Sequence, residues 1–117
     1  MEIIYHNKKV KEVCENFKEA IKKYGKEVAE KLHQLMNLIE SFPNLHDIKT
    51  FPSYRVHLLK GDRKGQYSIT ISRNSKRRVI LYPLDEEGKL IKDFSNEHSS
   101  LIKTVKVEIM EVSEHYE

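Results

Sequence analysis

The apolar residues of this 117-residue chain change period once, and that change dictates a fold of two parts. Val10, Val13, Cys14, Phe17, Ile21 and Tyr24 recur at three- and four-residue spacing, which predicts a helix with one apolar stripe. Asn7 is placed to cap it, and Gly25 to stop it, since glycine adopts left-handed backbone without a Cβ penalty. A second stripe runs through Val28, Ala29, Leu32, Leu35, Met36 and Ile39. It ends near Ser41, because Pro43 disfavours helical geometry in Phe42. The expectation is a helical hairpin.

After Tyr54 the period becomes two. Arg55 to Lys60 reads as a strand, followed by a turn at Gly61-Asp62-Arg63-Lys64-Gly65. Tyr67, Ile69 and Ile71 alternate with Ser68, Thr70 and Ser72, the mark of a half-buried strand. Arg78 to Tyr82 is apolar enough to be central, and Val105, Val107 and Ile109 begin a long strand running to about Val112. Glu2 to His6 reads as a short opening strand. Asn44 to Ser53 reads as a loop, and Lys89 to Ser100 is polar with no assignable period. The expected class is α+β: an N-terminal strand and a two-helix hairpin packed on one face of a curved antiparallel sheet, a single domain over residues 1–117.

Several function classes are disfavoured at once. The longest apolar runs are a few residues, as in Val79-Ile80-Leu81-Tyr82, too short for a membrane span. Met1-Glu2-Ile3-Ile4-Tyr5 lacks the basic start of a secretory signal, so a cytoplasmic location is expected. Cys14 is the single cysteine, which excludes an internal disulfide and a four-cysteine zinc site. His6, His33, His46 and His98 have no ligand spacing, and neither metal nor cofactor is expected. Glu108, Glu111 and Glu114 sit three apart; on a regular strand Glu108 and Glu111 point to opposite faces.

Charge is gathered in one stretch. Between Arg55 and Arg78 eight basic residues face Asp62 alone, a net of +7, while the rest of the chain sums to −4. Such segregation is the footprint of a polyanion-binding face. His57 and Lys60 close one strand, Arg73 lies at the exit of the next and Arg78 opens the one after. Cations with an imidazole are suited to holding or attacking a phosphodiester, because they neutralise phosphoryl charge while the imidazole moves a proton near neutral pH. Arg55, Arg63, Lys64, Lys76 and Arg77 add positive charge for RNA, and Tyr54 and Tyr67 offer flat rings for an unpaired base.

The run Tyr54-Arg55-Val56-His57-Leu58-Leu59-Lys60-Gly61-Asp62-Arg63-Lys64-Gly65-Gln66-Tyr67-Ser68-Ile69 resembles the HigB-type toxins of the RelE/ParE superfamily. Their His-Leu-x-Lys-Gly-Asp-Arg-x-Gly-Gln-aromatic-Ser-Ile segment lies between the second and third strands. The resemblance implies a RelE-like fold and a type II toxin that cuts messenger RNA on the ribosome without metal. The RNA's own 2′-hydroxyl attacks the adjacent phosphate, leaving a 2′,3′-cyclic phosphate and a 5′-hydroxyl. It further implies a helix-turn-helix, HigA-type antitoxin, in a hetero-oligomer that binds operator DNA through that antitoxin. By the same resemblance His57 matches a proton-transfer group, Lys60 a phosphate contact, and Arg78 the arginine of an Arg-Ile-x-Phe strand.

Two positions depart from the pattern. Thr70 stands where the family often has arginine, so either Arg73 substitutes from the turn or the role is absent. The chain ends Glu111-Val112-Ser113-Glu114-His115-Tyr116, with His and Tyr reversed against the family's acidic-Tyr-His ending; His115 is the second proton-transfer candidate. Two rivals stay open: a ParE-like gyrase inhibitor without catalysis, and an RNA-binding module that cuts nothing.

Overall fold

In a computed structural model, residues 1–72 and 76–114 are described. The chain opens with β1 (Glu2–Tyr5), then α1 (Lys8–Glu15), α2 (Phe17–Tyr24) and α3 (Lys26–Ser41). A short α4 (Leu45–Lys49) and a 3-10 turn (Pro52–Tyr54) lead to β2 (His57–Leu58). A second 3-10 turn (Gly61–Arg63) precedes β3 (Tyr67–Thr70) and β4 (Arg77–Leu84), and α5 (Glu97–Lys103) leads into β5 (Lys106–Glu114).

Asparagine punctuates the helices. The side chains of Asn7, Asn16, Asn44 and Asn96 accept hydrogen bonds from the backbone N–H groups of Val10, Glu19, Asp47 and Ser99, at 2.9 to 3.3 Å. Each satisfies a donor that the first helical turn leaves unpaired. Asn16 also divides the first expected helix in two, ending α1 and capping α2. Gly25 stops α2 as expected, at φ +88°. The expected loop from Asn44 contains α4, and the unassigned stretch after Lys89 ends in α5.

The sheet runs β1-β5-β4-β3-β2. All pairs are antiparallel except β1 with β5, which run parallel, so the sheet is mixed and not purely antiparallel. The helices after β1 carry the chain to β2 at the opposite edge, and β3, β4 and β5 then step back across the sheet until β5 lies beside β1. The expected strand from Arg55 to Lys60 is reduced to His57–Leu58, hemmed between the two 3-10 turns.

Register divides the side chains into two faces. Tyr67 with Leu81, Ile69 with Val79, and Ile3 with Val107 lie in register on the helix side, and all belong to or pack on one core with Leu32, Leu35, Ile39, Leu45 and Ile48. The opposite face carries the rows His57–Ser68–Ile80–Glu111 and Thr70–Arg78–Ser113. A bulge between β4 and β5 keeps the faces consistent, since Ile80 pairs with Glu111 but Leu81 pairs with Ile109, leaving Met110 as the extra residue. This corrects the expectation for Glu108 and Glu111. They pair with Tyr82 and Ile80, two residues apart on β4, so the bulge brings both to one face. Glu108 there lies 3.4 Å from His6 Nδ1, and Glu111 pairs with Arg63. No helix among the described residues is long and apolar enough to cross a membrane.

Candidate active site

The helix-free face opens into a cleft of about 380 Å³. One wall comes from Pro52, Ser53 and Arg55, at and just after the first 3-10 turn; the floor is Ser68, Thr70 and Ser72, with His57 beside them; Lys76, Arg77 and Arg78 close the far side. No carboxylate is among the described residues lining it. Five expected residues, Arg55, His57, Lys76, Arg77 and Arg78, therefore meet at one place. The hydroxyl floor was not singled out in the sequence, although its signal is plain in retrospect: Ser68, Thr70 and Ser72 are the polar phase of the β3 alternation.

His57 is held in a defined state. Its Nδ1 lies 2.9 Å from the carbonyl oxygen of Arg55. A carbonyl only accepts, so Nδ1 carries the proton and, in the neutral ring, Nε2 keeps the lone pair. Arg78 donates from Nε to Ser113 Oγ at 3.3 Å, tying the start of β4 to the end of β5. Arg77 lies on the cleft's edge with its guanidinium stacked 4.7 Å over the Tyr24 ring of α2. Burial raises the Tyr24 hydroxyl pKa, and the nearby Arg77 charge draws it partly back.

The other expected residues go elsewhere. Lys60 is exposed at the head of the second 3-10 turn. Arg63 reaches from that turn to β5, its two terminal nitrogens each donating to a Glu111 oxygen at 3.2 Å. Such bidentate pairs fix geometry as well as charge. Lys64 lines a second cavity of about 560 Å³ with Leu58, Tyr82, Leu90 and Phe94. Arg73 and His115 lie outside the described residues.

Tyr67 corrects an expectation. Its position in the apolar phase of β3 sends it to the helix side, where it is 0% exposed and its ring meets Phe94 edge-on at 6.0 Å. The hydroxyl donates to Glu97 Oε2 at 3.0 Å, away from the cleft. Burial, then the Glu97 carboxylate, pushes its pKa above the ordinary tyrosine value. A ring so enclosed cannot stack on a base. Tyr54 is half-buried against the same core.

Among the described residues no three His, Cys, Asp or Glu side chains stand close enough to hold a metal ion. The arrangement supplies instead one oriented imidazole, flanking cations and a floor of hydroxyls.

No protein-family model matches the chain, and neither does any curated protein. Among solved structures it is similar to a YoeB/ParE toxin from Agrobacterium tumefaciens, with a TM-score of 0.53 and 15% identity, over 99% of this chain and 100% of that one. At that identity the likeness establishes the fold: the chain has a RelE/ParE toxin-like architecture.

Proposed function

We propose that the protein is the toxin of a type II toxin–antitoxin system and cuts messenger RNA on the ribosome. The observation that carries this reading is His57, its Nδ1 occupied, beside a hydroxyl-floored cleft that Arg55, Lys76 and Arg78 line. The shared fold with a YoeB/ParE toxin and the His57-to-Ile69 motif support it independently.

In the proposed reaction an RNA strand lies across the cleft with one phosphate against the cations. His57 Nε2 takes the proton of the adjacent 2′-hydroxyl, whose oxygen then attacks phosphorus. The bond to the 5′ oxygen breaks, and that oxygen takes a proton from solvent water as it leaves. The ends are a 2′,3′-cyclic phosphate and a 5′-hydroxyl. Arg78 and Arg55 stabilise the charge that grows on the phosphoryl oxygens, and Lys60 reaches the bound strand from the neighbouring turn. With few reacting groups of its own, the protein gains from a ribosome that orders the substrate. In this reading the partners are messenger RNA, the ribosome and a HigA-type antitoxin, and the site of action is the cytoplasm.

The test is cleavage of a translated messenger by purified protein on ribosomes, with the chemistry of the new ends determined. Cyclic phosphate and 5′-hydroxyl ends are expected, and His57→Gln should slow their appearance by about 100-fold or more. Unchanged cleavage in that variant removes His57 from the reaction. Because the structural relative is described as YoeB/ParE, a second reading is kept: a gyrase inhibitor of the ParE kind, recognised by DNA-damage signalling with intact RNA.

A further inference from the structure

Arg55 is the one non-glycine residue with positive φ among those described, at φ 44° and ψ 54°. Side chains other than glycine, asparagine and aspartate rarely take this left-handed conformation, and it collects at functional sites when the surroundings enforce it. Here the enforcement is visible. The Arg55 N–H closes the first 3-10 turn by donating to Pro52 O at 3.1 Å. The next residue, Val56, is buried in the core on the helix side, and His57 emerges into the cleft. The left-handed step lets the chain leave the turn, bury Val56 and direct the Arg55 carbonyl back to His57 Nδ1.

We propose that Arg55 is a positioning residue that acts through its backbone: the left-handed conformation sets the tautomer of His57, keeping the Nε2 lone pair on the cleft side. The consequence for catalysis rests on the ribonuclease reading above; the tautomer itself does not. The charge of the Arg55 side chain is a separate matter, since the residue also lines the cleft. Substitutions that all remove the charge but differ in backbone preference isolate the backbone role. Asn and Gly accept positive φ, whereas a β-branched valine resists it.

The experiment is nitrogen-15 NMR of the His57 ring in mildly alkaline solution, where imidazole is neutral, together with assays of messenger RNA cleavage on ribosomes. His57→Gln identifies the signals. The full chain should show His57 protonated on Nδ1. Arg55→Asn and Arg55→Gly should retain that tautomer, and Arg55→Val should lose it. Cleavage by Arg55→Val should fall at least about tenfold below that of Arg55→Asn, in kcat more than in KM. The proposal is overturned if unsubstituted protein carries the proton on Nε2, or if the Val and Asn chains share one tautomer and one rate. Should the Val chain fail to fold, the unsubstituted spectrum and the Asn and Gly chains still decide the matter. The expected tautomers in a protein that cuts no RNA would uphold the backbone assignment and defeat the ribonuclease reading.

Discussion

Glu97 shows how one side chain ties together distant parts of this chain. Its carboxylate takes hydrogen bonds from Lys49 of α4 and from Tyr67 of β3, residues 48 and 30 positions away. The Lys49 bond, helped by Tyr67 and opposed by partial burial, holds the carboxyl below the ordinary glutamate pKa. The folded chain thus binds this proton less readily than the unfolded one. The resulting stability is present above the ordinary glutamate pKa and is lost as pH falls through the lowered folded value. Glu97→Gln should therefore flatten the acid side of a plot of urea midpoint against pH, and parallel plots for the two chains would refute the linkage. None of this was legible beforehand, because the stretch holding Glu97 has no period and its partners are remote in sequence. The burial of Tyr67 was legible from its phase with Ile69 and Ile71. Its assignment to RNA rested on the general capacity of aromatic rings to stack on bases, and the phase was the better guide.

At the level of elements, the long signals were readable and the short ones were not. The apolar stripes of residues 10–39 and the alternation of β3 extend over enough residues to reveal a period. Five residues of α4 and seven of α5, capped in the structure by Asn44 and Asn96, do not. Asn16 gives no visible break in the sequence, because the apolar stripe continues across it into Phe17 and Ile21. Its cap can be weighed directly. Asn16→Ala should cost about 1 kcal/mol of unfolding free energy, against less than about 0.5 kcal/mol for the exposed mid-helix Asn37→Ala. Equal effects in urea unfolding would mean that the cap contributes nothing special. The parallel pairing of β1 with β5 and the bulge at Met110 also escaped the sequence. Which strand meets which, and where a ladder slips, depends on packing across the sheet, whereas local alternation reports only faces.

Across the whole molecule the basic stretch divides into two groups on either side of β2 and β3. Arg55, Lys76, Arg77 and Arg78 gather with His57 at the cleft, while Arg63 is committed to Glu111 and Lys64 to the second cavity. Charge counting identified the stretch, yet it could not separate a cation paired with a carboxylate from one facing the cleft. That separation is set by register: Arg78 opposite Thr70 and Ser113, His57 opposite Ser68. A cleft assembled in this way should act as a unit on RNA, with Arg78 contributing to phosphate stabilisation. The most direct measurement is a map of RNA 5′ ends in cells after brief induction, comparing the intact chain with Arg78→Ala at equal protein levels. New ends within coding regions, in step with the reading frame and lost in the variant, are expected. Growth arrest with an unchanged set of 5′ ends, or identical ends from both chains, would contradict a ribonuclease working through this cleft.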